Sequence, residues 1–211
     1  MRMEVPMSSL LQPLSGRRAH RAFAGSPVSA EDQSILWQAL SLAPSHGNSQ
    51  PTRVLVARSP EARANLLAAL SEGNRQWAPA EPLLFAIAAL PAHDALQSNS
   101  DGSSREMWAF HAGIAMANLL AQATALGLIA HPMAGFDEPA VRAVFNAPDD
   151  LRILAVVAVG HPGAVESLPE ELQRAETRPQ DRIPLDNLVG IDTWSAEMGV
   201  SARDLRKRAN A

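Results

Sequence analysis

Arg17-Arg18-Ala19-His20-Arg21-Ala22-Phe23 places three guanidinium groups within five residues, with Gly25-Ser26-Pro27 close behind. A planar guanidinium fork can meet two phosphate oxygens at once, so the cluster reads as a phosphate cradle or as a solvated basic patch. A second concentration of polar groups fills residues 43–51, Ala-Pro-Ser-His-Gly-Asn-Ser-Gln-Pro. Pro44 stops any preceding helix, Gly47 opens backbone angles closed to other residues, and Ser45, Asn48 and Ser49 supply small hydrogen-bonding groups. So many polar positions between two prolines suit a surface that lines something. Two further pieces stand out: His131-Pro132-Met133-Ala134-Gly135-Phe136-Asp137, and a tail bearing Arg178 and Arg182.

Several chemistries lack their residues. Cysteine is absent, which removes disulfides, thiolate nucleophiles and Cys-ligated metals. The histidines at 20, 46, 93, 111, 131 and 161 show no metal-ligand spacing, and His111 reads as a hydrogen-bonded core histidine. No Gly-x-Gly-x-x-Gly, Walker loop or nucleophile elbow occurs. With a net charge of −4, nothing attracts nucleic acid or a membrane surface. The longest apolar run, residues 82–92, is far short of the roughly 20 residues a membrane helix needs. With no leader-like segment at the N-terminus, a soluble cytoplasmic protein is expected.

The elements that must position these groups follow from periodicity. The chain of 211 residues is 46% apolar and 19% charged, enough for one sizeable core. Ser29 and Asp32 open a helix whose apolar positions run from Ile35 to Ala43. A short strand covers 54–57, a helix capped by Ser59 runs from Pro60 to about Leu70, and Trp77 lies in the connection to a fully buried strand at 83–90. Residues 91–105 form a polar stretch, either loose or a lid. The helical pattern of 106–128 is apolar on nearly every face, so its own domain or a partner subunit must bury it; Gly127 closes it. After the 131–137 loop come a short amphipathic helix through Phe145, a third strand at 151–160 and a charged terminal helix within 196–209. The expected organisation is an arm (1–14), one domain (15–194) and a tail (195–211).

Taken in order, these pieces resemble the FMN-dependent nitroreductase superfamily over roughly residues 14–194. Arg17, Arg18, Arg21 and Phe23 match its opening Arg-Arg-Ser-x-Arg-x-Phe. Ala43, Pro44, Ser45, Asn48, Gln50 and Pro51 match its Ala-Pro-Ser-x-x-Asn-x-Gln-Pro-Trp. Asn74 corresponds to an asparagine before the second strand. Asn118-Leu119-Leu120 and Ala125-Leu126-Gly127-Leu128 look like the central helix. Residues 132–137 are similar to the loop at the flavin's reactive edge, and Arg182-Ile183-Pro184-Leu185 to the phosphate-contacting tail.

The resemblance implies an α+β fold, a mostly antiparallel sheet flanked by helices, in an intertwined homodimer with FMN at the subunit interface. Electrons would pass from NADH or NADPH through the flavin to a nitroaromatic, quinone or similar acceptor in a ping-pong cycle. Arg17, Arg18 and Arg182 would hold the phosphate and Arg21 the N1/O2 edge, while Asn48 and Asn74 would bond the pyrimidine edge or ribityl chain. Pro44, Ser45 and His46 would line the ring, Pro132 and Met133 would be among the cofactor-binding residues at its reactive edge, and the backbone N–H groups of Ala134 and Gly135 would point at N5 and O4. No catalytic side chain is implied. Two departures bear on affinity and packing: Ala19 stands where the family has serine, and Thr52 where it has tryptophan. An FMN carrier or sensor, or a helical scaffold without cofactor, are the alternatives.

Overall fold

The computed structural model describes residues 7–80, 82–94 and 96–209; the first six residues of the expected arm lie outside them. The chain divides into two units, residues 12–176 and a smaller one made of 1–11 with 177–211. In chain order the larger contains α1 (Gln12–Ser15), α2 (Ala30–Ser41), β1 (Thr52–Val56), α3 (Pro60–Ala68), α4 (Glu72–Arg75), β2 (Leu83–Ala89), β3 (Gln97–Ser98) and β4 (Ser104–Arg105). It continues with α5 (Trp108–Ala125), β5 (Ile129–Met133), α6 (Glu138–Val144), β6 (Arg152–Gly160) and all but the last residue of α7 (Glu170–Thr177).

Helix starts follow side-chain chemistry. The Ser29 hydroxyl accepts the Asp32 N–H at 2.9 Å, Ser59 accepts from Ala62 at 3.1 Å ahead of Pro60, and Asp137 accepts from Ala140 at 2.9 Å. Each satisfies a donor that the first helical turn leaves free. Gly127, at φ +73°, closes α5 where a side chain would be strained.

Four strands form an antiparallel sheet in the order β1-β2-β6-β5. Alternate residues of the central pair face opposite ways. Leu84, Ala86, Ala88, Val156 and Ala158 join Leu66 of α3 and Val141 of α6 in one core. Phe85, Ile87, Ala155, Val157 and Val159 join Leu36 and Leu40 of α2 and Ala115, Leu119 and Ala123 of α5 in the other. Burial on both faces explains why β2 and β6 read as unbroken apolar runs. The mostly antiparallel α+β sheet flanked by helices is therefore present.

Two local readings change. His131, Pro132 and Met133 belong to β5 and not to a loop, with Pro132 opposite Val157. Proline disguises the strand, and it is tolerated because β5 lies at the sheet's edge. The 91–105 stretch contains the hairpin β3-β4, in which Gln97 pairs with Arg105 and Ser98 with Ser104. Its turn is held by Asp101, which accepts the Ser103 N–H at 3.0 Å; the Ser103 hydroxyl, then the N–H, keep its carboxyl below the usual range. In the smaller unit, α8 (Ala202–Ala209) follows the short turns Leu185–Asn187 and Ala196–Gly199. These turns are joined by the Asn187 amide, which donates to the Glu197 carbonyl at 2.8 Å.

Candidate functional site

The arginine-bearing segment is pinned at several points. Ala22 O accepts the Gly163 N–H at 2.8 Å, Ala24 N donates to His161 O at 2.9 Å, and the carbonyl of His20 lies 3.1 Å from Nδ1 of His131. A side chain at 163 would put its Cβ 2.5 Å from the Phe23 carbonyl, so only glycine permits this approach. Glu176 of α7 fastens the segment from the other side. One oxygen accepts the N–H groups of both Arg21 and Ala22, and the other lies 3.5 Å from Nδ1 of His20 and 3.7 Å from the Arg21 guanidinium. The Glu176 side chain is 2% exposed, a buried carboxylate fully occupied with this segment.

His131 sits beneath the segment, its ring 4.5 Å from that of Trp77. Burial first, and then the charge of Arg21, push its pKa down to about 4. The imidazole is thus neutral at pH 7, with its proton on Nδ1 for the His20 carbonyl. Nη1 of Arg18 is buried and has no hydrogen-bond partner among the described residues. A guanidinium N–H withdrawn from water without an acceptor is costly, and an anionic ligand would satisfy it. Arg17 and Ala19 flank it in sequence.

Asn74 and Gly135 meet at the end of β5. The Gly135 carbonyl accepts the Ser71 N–H at 2.9 Å and the Asn74 amide at 3.1 Å. A Cβ at 135 would fall 2.5 Å from the Ser71 hydroxyl, so this glycine is set by close approach. Ala134 is exposed beside it, whereas the Met133 side chain is buried in the core, leaving only its backbone for a ligand.

Residues 43–51 make the third cluster. Gly47, Asn48 and Gln50 hold φ of +57°, +56° and +46°. Asparagine adopts this left-handed conformation readily, but for Gln50 it costs roughly 1–2 kcal/mol, so the surroundings must enforce it. They do so from several sides. Ser45 Oγ accepts the Gln50 N–H at 2.9 Å, the Arg53 guanidinium donates to Gln50 O at 2.9 Å, and the His46 N–H donates to Nε2 of His111 at 3.1 Å. Pro44, His46 and Asn48 are exposed, and a cavity of about 130 Å³ lined by Pro44, Ser45, Gln50 and His111 lies beside them.

The structure joins some of these clusters and separates others. His131 and Gly135 lie four residues apart on β5 and its exit, so the Arg18–Arg21 segment and the Asn74–Gly135 pair share one sheet edge. Residues 43–51 enter β1, at the opposite edge. Three inter-strand spacings, roughly 14 Å, separate β1 from β5. Arg182 belongs to the smaller unit, exposed, with its guanidinium donating to the Asp181 carbonyl at 2.8 Å.

The family model for the nitroreductase family matches residues 14–161, the span that holds all three clusters. The chain belongs to the nitroreductase family. A Streptomyces coelicolor protein described as an NADH dehydrogenase/NAD(P)H nitroreductase is 31% identical over 159 residues, 69% of this chain and 79% of that one. A second from the same organism, described alike, is 34% identical over 181 residues, covering 76% and 90%. The solved structure of an oxidoreductase containing FMN superposes with a TM-score of 0.77 at 28% identity, over 92% of this chain and 96% of that one.

Within this family member, sequence reasoning missed Glu176, Asp94 and Trp77. Trp77, placed in a connection, is 3% exposed and stacks on Phe23 at 6.0 Å. His111 was legible as a bonded core histidine; its carboxylate partner Asp94, at 2.7 Å, was not.

Proposed function

We propose that the protein is an FMN-dependent oxidoreductase that takes electrons from NADH or NADPH and delivers them to a nitroaromatic, quinone or similar conjugated acceptor, working as a homodimer. The observation that carries this reading is the buried Nη1 of Arg18, unpartnered among the described residues, in a stretch of sequence with three arginines. Such an arrangement suits a phosphate, and the family's mononucleotide brings one. When bound, FMN supplies the redox centre between nicotinamide and acceptor.

The chain's own groups then divide the work. Arg17 and Arg18 hold the phosphate, each charge-assisted contact contributing about 1.5–3 kcal/mol, and the family resemblance assigns Arg182 to the same group. Arg21, fixed by Glu176, places positive charge where the reduced ring gathers negative charge. Asn74 and the backbone of Ala134 and Gly135 meet the ring's polar edge, Asn48 bonds the pyrimidine edge or ribityl chain, and Pro44, Ser45 and His46 line the ring. Because the last set enters the opposite sheet edge, a second copy is the economical source of it.

The open side of α5 supports that dimer. Its inward stripe, His111, Ala112, Ala115, Leu119 and Ala123, is buried by the sheet and α2. The other stripe is apolar too: Phe110 is 59% exposed, Gly113 has open space at its Cβ position, and Ala117 is exposed. An interface of the obligate class, roughly 2,000–5,000 Å², would cover it. No helix among the described residues is long and apolar enough to cross a membrane. A cytoplasmic setting, where reduced nicotinamides are supplied, suits the reading.

The test is the visible spectrum of the protein loaded with FMN, followed anaerobically as NADH or NADPH is added. Rapid bleaching, then recovery on adding a quinone, is expected. A protein that ignores FMN, or binds it without bleaching, would overturn the assignment.

A further inference from the structure

The turn at residues 46–49 is tied to the interior by a closed circuit of polar groups. The His46 N–H donates to Nε2 of His111 at 3.1 Å, Nδ1 of His111 lies 2.7 Å from Oδ2 of Asp94, and Oδ1 of Asp94 accepts the Ser49 hydroxyl at 2.9 Å. The circuit leaves the loop at His46 and returns to it at Ser49. The His111 and Asp94 side chains are 4% and 2% exposed, and His111 stands on a face of α5 otherwise made of alanine and leucine. A hydrophobic residue at 111 would fill that space more simply, since a buried histidine and carboxylate are costly unless fully bonded.

Geometry also settles the proton. An imidazole nitrogen that accepts from an amide is bare, so the hydrogen of His111 is on Nδ1 and is donated to Asp94. The carboxylate selects that tautomer, the tautomer supplies an acceptor to His46, and the acceptor holds the backbone where Gly47 and Asn48 turn left-handed.

We infer that Asp94 and His111 form a positioning pair that sets the 45–48 turn in the conformation presented to the flavin ring. The flavin half of this inference rests on the function proposed above. Neither residue touches a reacting atom; both act through the loop.

Nitrogen-15 NMR of the protein without added cofactor should find His111 as the Nδ1–H tautomer, with the His46 amide protected from exchange. An Nε2–H tautomer, or a freely exchanging His46 amide, would overturn the pair's role. In FMN titrations, His111→Phe should bind about tenfold more weakly, the loss expected from one buried hydrogen bond. Its bound flavin should also show altered visible circular dichroism. His111→Gln, whose carbonyl can still accept the His46 N–H, should recover most of the affinity. Wild-type affinity and dichroism in His111→Phe would refute the inference. If that variant does not fold, Asp94→Asn replaces it: the carboxylate no longer selects the tautomer, so Nε2–H should appear and affinity should fall, and an unchanged tautomer would count against the pair. A wild-type protein that bound no FMN would sink the proposed function, while the tautomer and the His46 amide would still decide whether the pair holds the loop.

Discussion

Removing the Glu176 carboxylate should loosen the arginine segment more than any charge argument suggests. Its main partners are two backbone N–H groups, those of Arg21 and Ala22, and Ala22 is 4% exposed. Glu176→Ala leaves both donors without an acceptor in a place where water has little access. Each orphaned donor costs about 1–3 kcal/mol, so the variant should lose roughly 2–6 kcal/mol. The Arg21 guanidinium is a quarter exposed and can turn to solvent, so its share is small. Glu176→Gln keeps an oxygen acceptor of the same reach and gives up only the charge assistance, about 1 kcal/mol. Against a domain stability of about 5–15 kcal/mol, urea unfolding at pH 7 separates these figures well. If glutamine proved as damaging as alanine, the charge and not the two N–H contacts would be what holds the segment. An alanine variant within about 0.5 kcal/mol of the parent would refute the clamp itself.

Three other outcomes are expected. His131 has a folded pKa of about 4 against an ordinary 6.5, so between those values the unfolded chain takes up a proton that the folded protein refuses. Its contribution is complete above pH 6.5 and is lost as pH falls toward 4; about 2 kcal/mol should go between pH 7 and 5, a slope that His131→Phe should flatten in urea titrations at the two pH values. Gly135→Ala would bring its Cβ within 2.5 Å of the Ser71 hydroxyl and 3.0 Å of the Ser71 Cβ, costing about 1–3 kcal/mol in thermal unfolding, part of which Ser71→Gly should restore. Arg18→Ala and Arg182→Ala should each weaken FMN about ten- to a hundredfold in fluorescence titrations; unchanged affinity would remove that residue from the phosphate site.

Much of the fold was legible because local chemistry and burial agree. Ser29 and Ser59 cap the helices they precede, and β2 and β6 show as apolar runs because both of their faces are covered. β5 was not legible, since Pro132 argues against a strand unless its edge position is known. In the site, the arginine cluster and the 43–51 loop announce themselves by composition. Glu176 does not: it is 155 residues from Arg21 and is one of several acids on α7. Asp94 is hidden in the same way, in a polar segment where one more aspartate carries no signal. Sequence shows which residues could do chemistry, but the carboxylates that orient them are chosen by tertiary contact.

The central helix carries the same argument to the level of the assembly. Its sequence is apolar on nearly every face, yet the sheet and α2 cover one stripe of it and leave Phe110, Gly113 and Ala117 open. Independently, the β1 edge and the β5 edge hold different halves of the proposed ring contacts, roughly 14 Å apart. Two facing copies, as proposed above, would answer both facts at once: the uncovered stripe would meet its counterpart, and the 43–51 loop of one protomer would be free to approach the Gly135 edge of its partner. On this reading a charge placed on the open stripe, such as Ala117→Glu, should split the dimer and abolish flavin binding together, while leaving the buried stripe and the protomer's fold intact. Sedimentation velocity and FMN titration on the same sample read both quantities, and a monomer that kept full FMN affinity would break the link between them.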